Sequence, residues 1–270
     1  MKREYIQVDE KRGIFQLTLP DERWYVKEPR EEGEVIEIRP SVTFIAGTWP
    51  KDPRFHRWLQ ENGMAATTFA EAKAEEGFLT HRAVAALNSG QRIAFNTAFS
   101  DQEGKPRQLT AEEYAGAMSY VQWWDEEGQK RFEILGYEML VWPDVNALAA
   151  KHRKSAAYFN YGGMLDILLL EKTTRKRWVV DCKISPAVYP SHEIQIEMYR
   201  LGVGADRSAV LLLNLKRNKT KKYQFIPTDV CTKRYFSLWD IWHHEAEGMK
   251  PFQREYPLSL SLAGVEVKSK

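Results

Sequence analysis

The chain has 270 residues, 28% of them charged and 43% hydrophobic, which is ordinary for a globular protein. Thirty-nine Lys and Arg against 37 Asp and Glu leave a net charge of +2, which excludes coating of nucleic acid by bulk charge but not a local basic groove. Only two cysteines are present, Cys182 and Cys231, so thiolates alone cannot build an iron–sulfur cluster or a structural zinc site, and a reducing, cytoplasmic setting is expected.

Residues 1–40 read as strands. EYIQV and IFQLTL flank the charged turn Asp9–Gly13, and RWYVKE and EVIEI follow on either side of PREEG. PSVTFIAGTWPKDP, from Pro40, reads as a turn-rich approach. From Phe55 to Ala98 the pattern is largely helical, and residues 100–109 read as a loop. Thr110 opens a helix, with Glu113 completing a capping box. Its spacing puts Tyr114, Ala117, Met118, Val121 and Trp124 on one face, expected to pack on the core.

After Gly128 the pattern changes. EILGYEMLVW, AAYFNYGGMLDILLL and RKRWVVDCKI read as three strands, with EKTTRKR as the hairpin between the second and third. PSHEIQIEMYRLGV reads as a helix. SAVLLLNL, apolar on both faces, reads as a buried strand, and KKYQFIP pairs with it across the basic turn KRNKT. A last amphipathic helix is expected at about 229–248. This order predicts an α/β sandwich with one central mixed sheet flanked by helices, not a doubly wound fold. Residues 1–39 are expected to be a β-rich extension and 40–270 one compact unit. No apolar run reaches membrane-spanning length, and MKREYIQVDEKRG lacks the apolar core of a secretory signal, so no membrane association is expected.

The chemistry gathers between Gly163 and Tyr199. Asp166 follows Gly163 on one strand, Asp181 and Lys183 end the next, and Gln195 and Tyr199 lie four apart on the following helix. Two carboxylates on adjacent strands can converge. Their mutual repulsion, about 4 kcal/mol at short range and an effective dielectric near 20, is relieved by a divalent cation. Lys183, two residues after Asp181, shares its face of the strand. Carboxylates, metal and lysine together meet the needs of phosphodiester hydrolysis: an activated water and stabilisation of developing charge. D-x-K alone is weak, since Asp9 and Lys11 repeat it. The G-x-x-D of Gly163 and Asp166, the Q-x-x-x-Y of Gln195 and Tyr199 and the G-x-x-x-H of Gly77 and His81 each occur once.

In order and context these motifs resemble the RecB-like branch of the PD-(D/E)xK nuclease superfamily, closest to phage-type and mitochondrial genome maintenance exonucleases. PSVTFI, the Trp58 region, the segment from Ala72 to His81 and Glu138 also fit. The similarity spans roughly Pro40 to Ile226. It implies a restriction-endonuclease-like sandwich and a metal-dependent deoxyribonuclease, an exonuclease without sequence specificity. Its implied ligands for one or two Mg²⁺ or Mn²⁺ ions are His81, Asp166, Asp181 and the Cys182 backbone carbonyl. Lys183 would be the catalytic lysine, and Gln195 and Tyr199 would orient it, the metal shell or a phosphate. Asp181 stands where many relatives carry Glu. Some relatives hold an iron–sulfur cluster on four cysteines; none is expected here. DNA with ends, and a recombination or single-strand-binding protein, would be partners, in recombination, repair or phage DNA processing.

Other readings use the same residues. A restriction-type or structure-specific endonuclease shares the chemistry, and a non-catalytic DNA-binding relative shares the fold. Three basic clusters are candidate phosphate contacts: Lys151, Arg153 and Lys154; Lys172, Arg175, Lys176 and Arg177; and Lys216, Arg217, Lys219, Lys221 and Lys222. Trp49, Trp58 and Tyr189 stand in polar or turn-rich settings and are candidates for stacking on unpaired bases. His243 and His244, adjacent on a helix, point about 100° apart and read as surface residues.

Overall fold

Period-two alternation shapes the first part of the chain. The computed structural model describes residues 4–19, 22–31, 34–102, 104–216, 220–246 and 250–251. Strands β1 (Glu4–Asp9), β2 (Ile14–Thr18), β3 (Arg23–Lys27) and β4 (Glu37–Pro40) form an antiparallel meander. Leu17, Trp24 and Val26 turn their apolar side chains into the same core as the helices that follow.

The approach read as turn-rich contains a helix, α1 (Val42–Gly47). Ser41 caps it by accepting the Phe44 N–H at 3.0 Å. Helix α2 (Pro53–Asn62) starts on an Asp52 cap with Pro53 at its first position. Helix α3 (Ala65–Asn88) is long, and most of its first half is exposed. The segment read as a loop holds a small hairpin, β5 (Ala98–Ser100) and β6 (Pro106–Gln108). Helix α4 (Ala111–Trp123) carries the expected capping box, with the Thr110 hydroxyl on Glu113 N–H and the Glu113 carboxylate on Thr110 N–H.

The buried face of α4 differs from the expected one. Glu113, Gly116, Ala117, Ser119, Tyr120 and Trp123 face inward, while Met118 is 58% exposed. Gly116 explains the rotation. A methyl group there would stand 2.7 Å from Thr80 Cγ2 and 3.2 Å from Ile184 Cδ1, so α3 and the end of the central sheet approach α4 on its small-residue side. Ser119 satisfies its hydroxyl on the Ala115 and Gly116 carbonyls.

A π-helical turn (Trp124–Gly128) and the short α5 (Gln129–Arg131) lead into β7 (Phe132–Val141). Helix α6 (Val145–His152), which the strand pattern did not suggest, is capped by Asp144 and fills the connection to β8 (Gly163–Glu171). Strand β9 (Arg177–Lys183), helix α7 (Pro190–Val203), strands β10 (Arg207–Leu212) and β11 (Gln224–Pro227) and helix α8 (Thr232–Glu245) complete the order.

The central sheet runs β11-β10-β9-β8-β7. β9 and β10 are parallel, and every other neighbouring pair is antiparallel, so the sheet is mixed. Both faces are covered. Val179, Val210 and Leu212 pack with α1, α7 and α8, whereas Val180, Cys182, Ala209 and Leu211 pack with α3 and α4. This explains the uninterrupted apolar run of β10. The N-terminal meander joins the covering layer through Trp24, whose ring meets Phe44 at 5.5 Å and Trp242 at 6.1 Å. Among the described residues no helix is long and apolar enough to cross a membrane.

Candidate active site

The site lies where the β8–β9 ladder gives out. Pairing runs from Leu170↔Arg177 to Ile167↔Val180 and stops one residue short of Asp166. There the Asp166 side chain replaces a strand bond: its Oδ2 accepts the Cys182 N–H at 2.7 Å. On the other side, β7 and β8 pair at Tyr137↔Ile167 and Met139↔Leu165, with Glu138 between them at a φ of +43°. On the β9 side the ladder has ended, and the Asp166 carboxylate takes the place of a ladder partner.

Asp166 Oδ1 meets His81 Nδ1 at 3.1 Å. His81 comes from α3, held against α4 by the Thr80–Gly116 contact next to it. One turn earlier, Gly77 stands in mid-helix with no atom near the place a side chain would fill. A helical glycine costs about 1 kcal/mol relative to alanine, and no packing contact accounts for it here.

Asp181 and Lys183 share the α7-facing side of β9, while Cys182 points into the opposite core. Asp181 is 1% exposed, with Lys183 Nζ 2.8 Å from its Oδ2. Gln195, on the buried face of α7, donates from Nε2 to Asp181 Oδ1 at 3.3 Å and to the Tyr199 hydroxyl at 3.4 Å. Asp181 Oδ2 is buried and has Lys183 Nζ as its close partner. The Tyr199 ring lies on Gly163: a Cβ there would stand 2.6 Å from Tyr199 Cε1. Gly162 is covered in the same way by Tyr25 of β3, at 2.8 Å, so the N-terminal meander backs the site.

The electrostatics separate the two carboxylates. Burial pushes Asp181 up to about 6, and the nearby Asp166 adds to this against the pull of Lys183. Burial acts on Asp166 too, but His81, Lys183 and the Cys182 N–H outweigh it and hold its carboxyl low. Burial disfavours the His81 and Lys183 charges, yet both are held above their ordinary values, His81 chiefly by Asp166 and Lys183 chiefly by Asp181. Burial keeps the Cys182 thiol and Tyr199 phenol neutral. At Glu138, partial desolvation and Asp166 raise the carboxyl against Arg82 and His81.

Five of the expected residues therefore meet from three helices and strands beyond the β8 carboxylate itself: His81 on α3, Asp181 and Lys183 on β9, and Gln195 and Tyr199 on α7. Among the described residues, no three His, Cys, Asp or Glu side chains are gathered closely enough to enclose an ion. Each carboxylate faces a cation of the chain.

The basic residues are dispersed. Lys172, Arg175, Lys176 and Arg177 form the far end of the β8–β9 hairpin, about 20 Å along β9 from Lys183. Lys172 Nζ donates to the Gln129 carbonyl at 2.6 Å, and Arg175 pairs with Glu133 at 3.6 Å. Lys216 is exposed just beyond β10, whose last residue, Leu212, is registered with Lys183, so it stands at the site end of the sheet. Arg217 and Lys219 lie outside the described residues, as do positions 247 and 248 of the expected last helix. His192, absent from the sequence reading, lies within electrostatic reach of Lys183. Its only sequence signal was its place in the first turn of α7. No protein-family model matches the chain, and no curated protein matches its sequence.

Proposed function

We propose that this chain is a metal-dependent deoxyribonuclease of the RecB-like PD-(D/E)xK type, built on a restriction-endonuclease-like sandwich and cutting DNA from its ends without reading base sequence. The observation that carries the reading is the arrangement around Asp181: a buried carboxylate at a strand end, paired with Lys183, braced by Gln195 and neighboured by Asp166 and His81.

The donor set fits Mg²⁺ or Mn²⁺. Carboxylate oxygens and an imidazole suit these ions, and the buried Asp181 Oδ2 has only the mobile-ended Lys183 side chain, at 2.8 Å, to exchange for one. Asp166, Asp181, His81 and the Cys182 carbonyl would hold the metal. When bound, the ion supplies Lewis-acid polarisation of the scissile phosphate and lowers the pKa of water. The chain's own groups do the rest. Lys183 orients the attacking water and offsets charge developing on the phosphate. Gln195 fixes the Asp181 carboxylate, and Tyr199 fixes Gln195. The 3′-oxygen of the cleaved bond leaves.

An end-labelled digestion series tests this. DNA labelled at the 5′ or 3′ end, single- and double-stranded, with circular controls, is incubated with and without Mg²⁺. The expected result is Mg²⁺-dependent loss of label from linear DNA, abolished by EDTA and spared in circles. Cutting of circles would move the reading to an endonuclease. Full activity in EDTA would overturn it.

A further inference from the structure

Residues 1–39 lie outside the nuclease resemblance, yet the meander they build grips the strand that carries Asp166. Successive residues of a strand point to opposite faces. On one face of the meander, Leu17, Trp24 and Val26 enter the core shared with α1, α7 and α8. On the other, Tyr25 stands beside Gln16 of β2 and Arg39 of β4. Tyr25 is 2% exposed but takes no part in that core; its ring lies on Gly162, where a Cβ would stand 2.8 Å from Tyr25 Cγ.

The grip has further points. Arg39 is buried, donates from Nη1 to the Pro143 carbonyl at 2.9 Å and lies over the Trp142 ring, 3.9 Å from its centre. The Gly162 N–H donates to the Pro40 carbonyl at 2.9 Å, and the Gly162 carbonyl accepts the Val42 N–H at 2.8 Å. The meander and its exit into α1 therefore hold residues 142 and 143 after β7 and residue 162 before β8. These flank Val141↔Gly163, the pair at which the β7–β8 ladder begins beside the site.

From Gly162 the contact reaches the site in one step. Gly162 is bridged to Ser41 and Gly163 opens β8, so their missing side chains leave room on opposite faces. Tyr25 fills the space at Gly162, and Tyr199 fills the space at Gly163 with Cε1 2.6 Å from the place of a Cβ. The two glycines are a wall one backbone thick between two rings. The Tyr199 hydroxyl accepts from Gln195, which donates to Asp181. Close-packed interiors transmit displacement, so a shift of the Tyr25 ring alters the seat of Tyr199. We propose that Tyr25 is a positioning residue: laid on Gly162, it fixes Tyr199 on Gly163 and with it the Gln195 brace on Asp181. The proposal rests on the nuclease reading above and makes the N-terminal meander part of the active-site scaffold. The ring carries this role, while the hydroxyl meets Gln16 Oε1 at 3.3 Å.

The test uses the full chain. The kcat and KM for linear DNA in Mg²⁺, and Mn²⁺ affinity by calorimetry, are measured for the wild type, Tyr25→Ala, Tyr25→Leu, Tyr25→Phe and Leu17→Ala, each scaled to the folded fraction by circular dichroism. Where Tyr25→Ala does not fold, Tyr25→Leu, which keeps apolar bulk without a flat ring, carries the comparison. Loss of the ring should lower kcat by about tenfold or more and weaken Mn²⁺ binding about tenfold, the scale of disturbing a group that orients a metal ligand. KM should change by less than about twofold, and Tyr25→Phe should restore both losses. Leu17→Ala loosens the opposite face of the meander and should lower stability while leaving kcat and Mn²⁺ affinity unchanged. Wild-type kcat and Mn²⁺ affinity in folded Tyr25→Leu overturn the proposal, as does an equal loss in Leu17→Ala or in Tyr25→Phe. If the wild type still cuts linear DNA and binds Mn²⁺, only this inference falls. A wild type that neither binds Mn²⁺ nor cuts DNA removes the nuclease reading, and this inference with it.

Discussion

The two ends of the β8–β9 hairpin carry similar residues in opposite circumstances. At the turn, Glu171, Lys172, Arg175 and Arg177 reach neighbours close by: Glu171 takes Arg131 at 2.6 Å, and Arg175 takes Glu133 at 3.6 Å with both side chains about half exposed or more. At the open end, Asp166, Asp181 and Lys183 are drawn inward, where Asp166 meets His81 of α3 and Asp181 meets both Lys183 and Gln195 of α7. At the turn the Arg175–Glu133 pair remains hydrated, while the buried Glu171 is held by Arg131 and Thr174 and ties off the hairpin. Charge at the open end has lost most of its water and is balanced by a few fixed partners. Partnership from several elements, more than charge itself, marks a place where chemistry is organised.

The sharpest way to break this contrast is to remove charges from each end in turn. Asp181→Ala and Lys183→Ala should each lower DNA hydrolysis by about a hundredfold or more, the scale of losing a group that stabilises developing charge. Arg175→Ala should leave the rate unchanged. Label release from linear DNA checks both, and circular dichroism confirms that the variants fold. Equal losses at both ends would erase the distinction.

Packing behind the open end gives the next effect. Gly163→Ala would force a methyl group to 2.6 Å from Tyr199 and 3.1 Å from Val42 Cγ2. It should cost about 1–3 kcal/mol in urea unfolding, the range for overpacking. Hydrolysis should fall as well, because Tyr199 braces Gln195.

Burial of charge without a gathering of partners is the control, and Glu113 supplies it. Its carboxylate is buried and satisfied locally by Thr110 N–H at 2.7 Å and by Arg107 at 2.7 and 2.9 Å. Burial raises its pKa, but Arg107 and Thr110 outweigh this and leave it lowered. The stabilisation is therefore full above the ordinary 4.5 of an unfolded glutamate and is lost as pH falls through the lower folded value. Glu113→Gln should cost about 1–2 kcal/mol at neutral pH, and the difference from wild type should fade in acid. Catalysis in the folded variant should be unchanged.

Gly77 gives a smaller effect of opposite sign. Gly77→Ala should raise stability by up to about 1 kcal/mol, since nothing occupies the space. A more stable yet slower enzyme would show that the space beside His81 belongs to the substrate. At the turn, Arg175→Ala should change stability by no more than about 0.5 kcal/mol, as exposed ion pairs do.

Much of this was legible in the sequence wherever the signal was local. The Thr110–Glu113 capping box, the two-faced β10, the hairpin at EKTTRKR and the helix from Pro190 each carry their own chemistry, and each stands where it was expected. The convergence of Asp166, Asp181 and Lys183 followed from strand order and spacing, and the approach of His81 and Gln195 to them from the family resemblance alone. What escaped depends on tertiary contact. Helix α1 is too short to show a period. Helix α6 is masked by the strand-like sequences around it. The inward face of α4 is set by Gly116 against Thr80 and Ile184 and not by the apolar stripe that includes Met118 and Val121. The parallel pairing of β9 with β10 and the backing of Gly162 by Tyr25 bring together segments with no shared local pattern.

The central claim is that the open end of the hairpin holds a divalent ion. Calorimetric titration of Mn²⁺ into the folded protein tests it most directly. The wild type should bind one or two ions, and Asp181→Ala, folded by circular dichroism, should lose that binding. A wild type that binds no ion, or an Asp181→Ala variant that binds as the wild type does, would contradict the account.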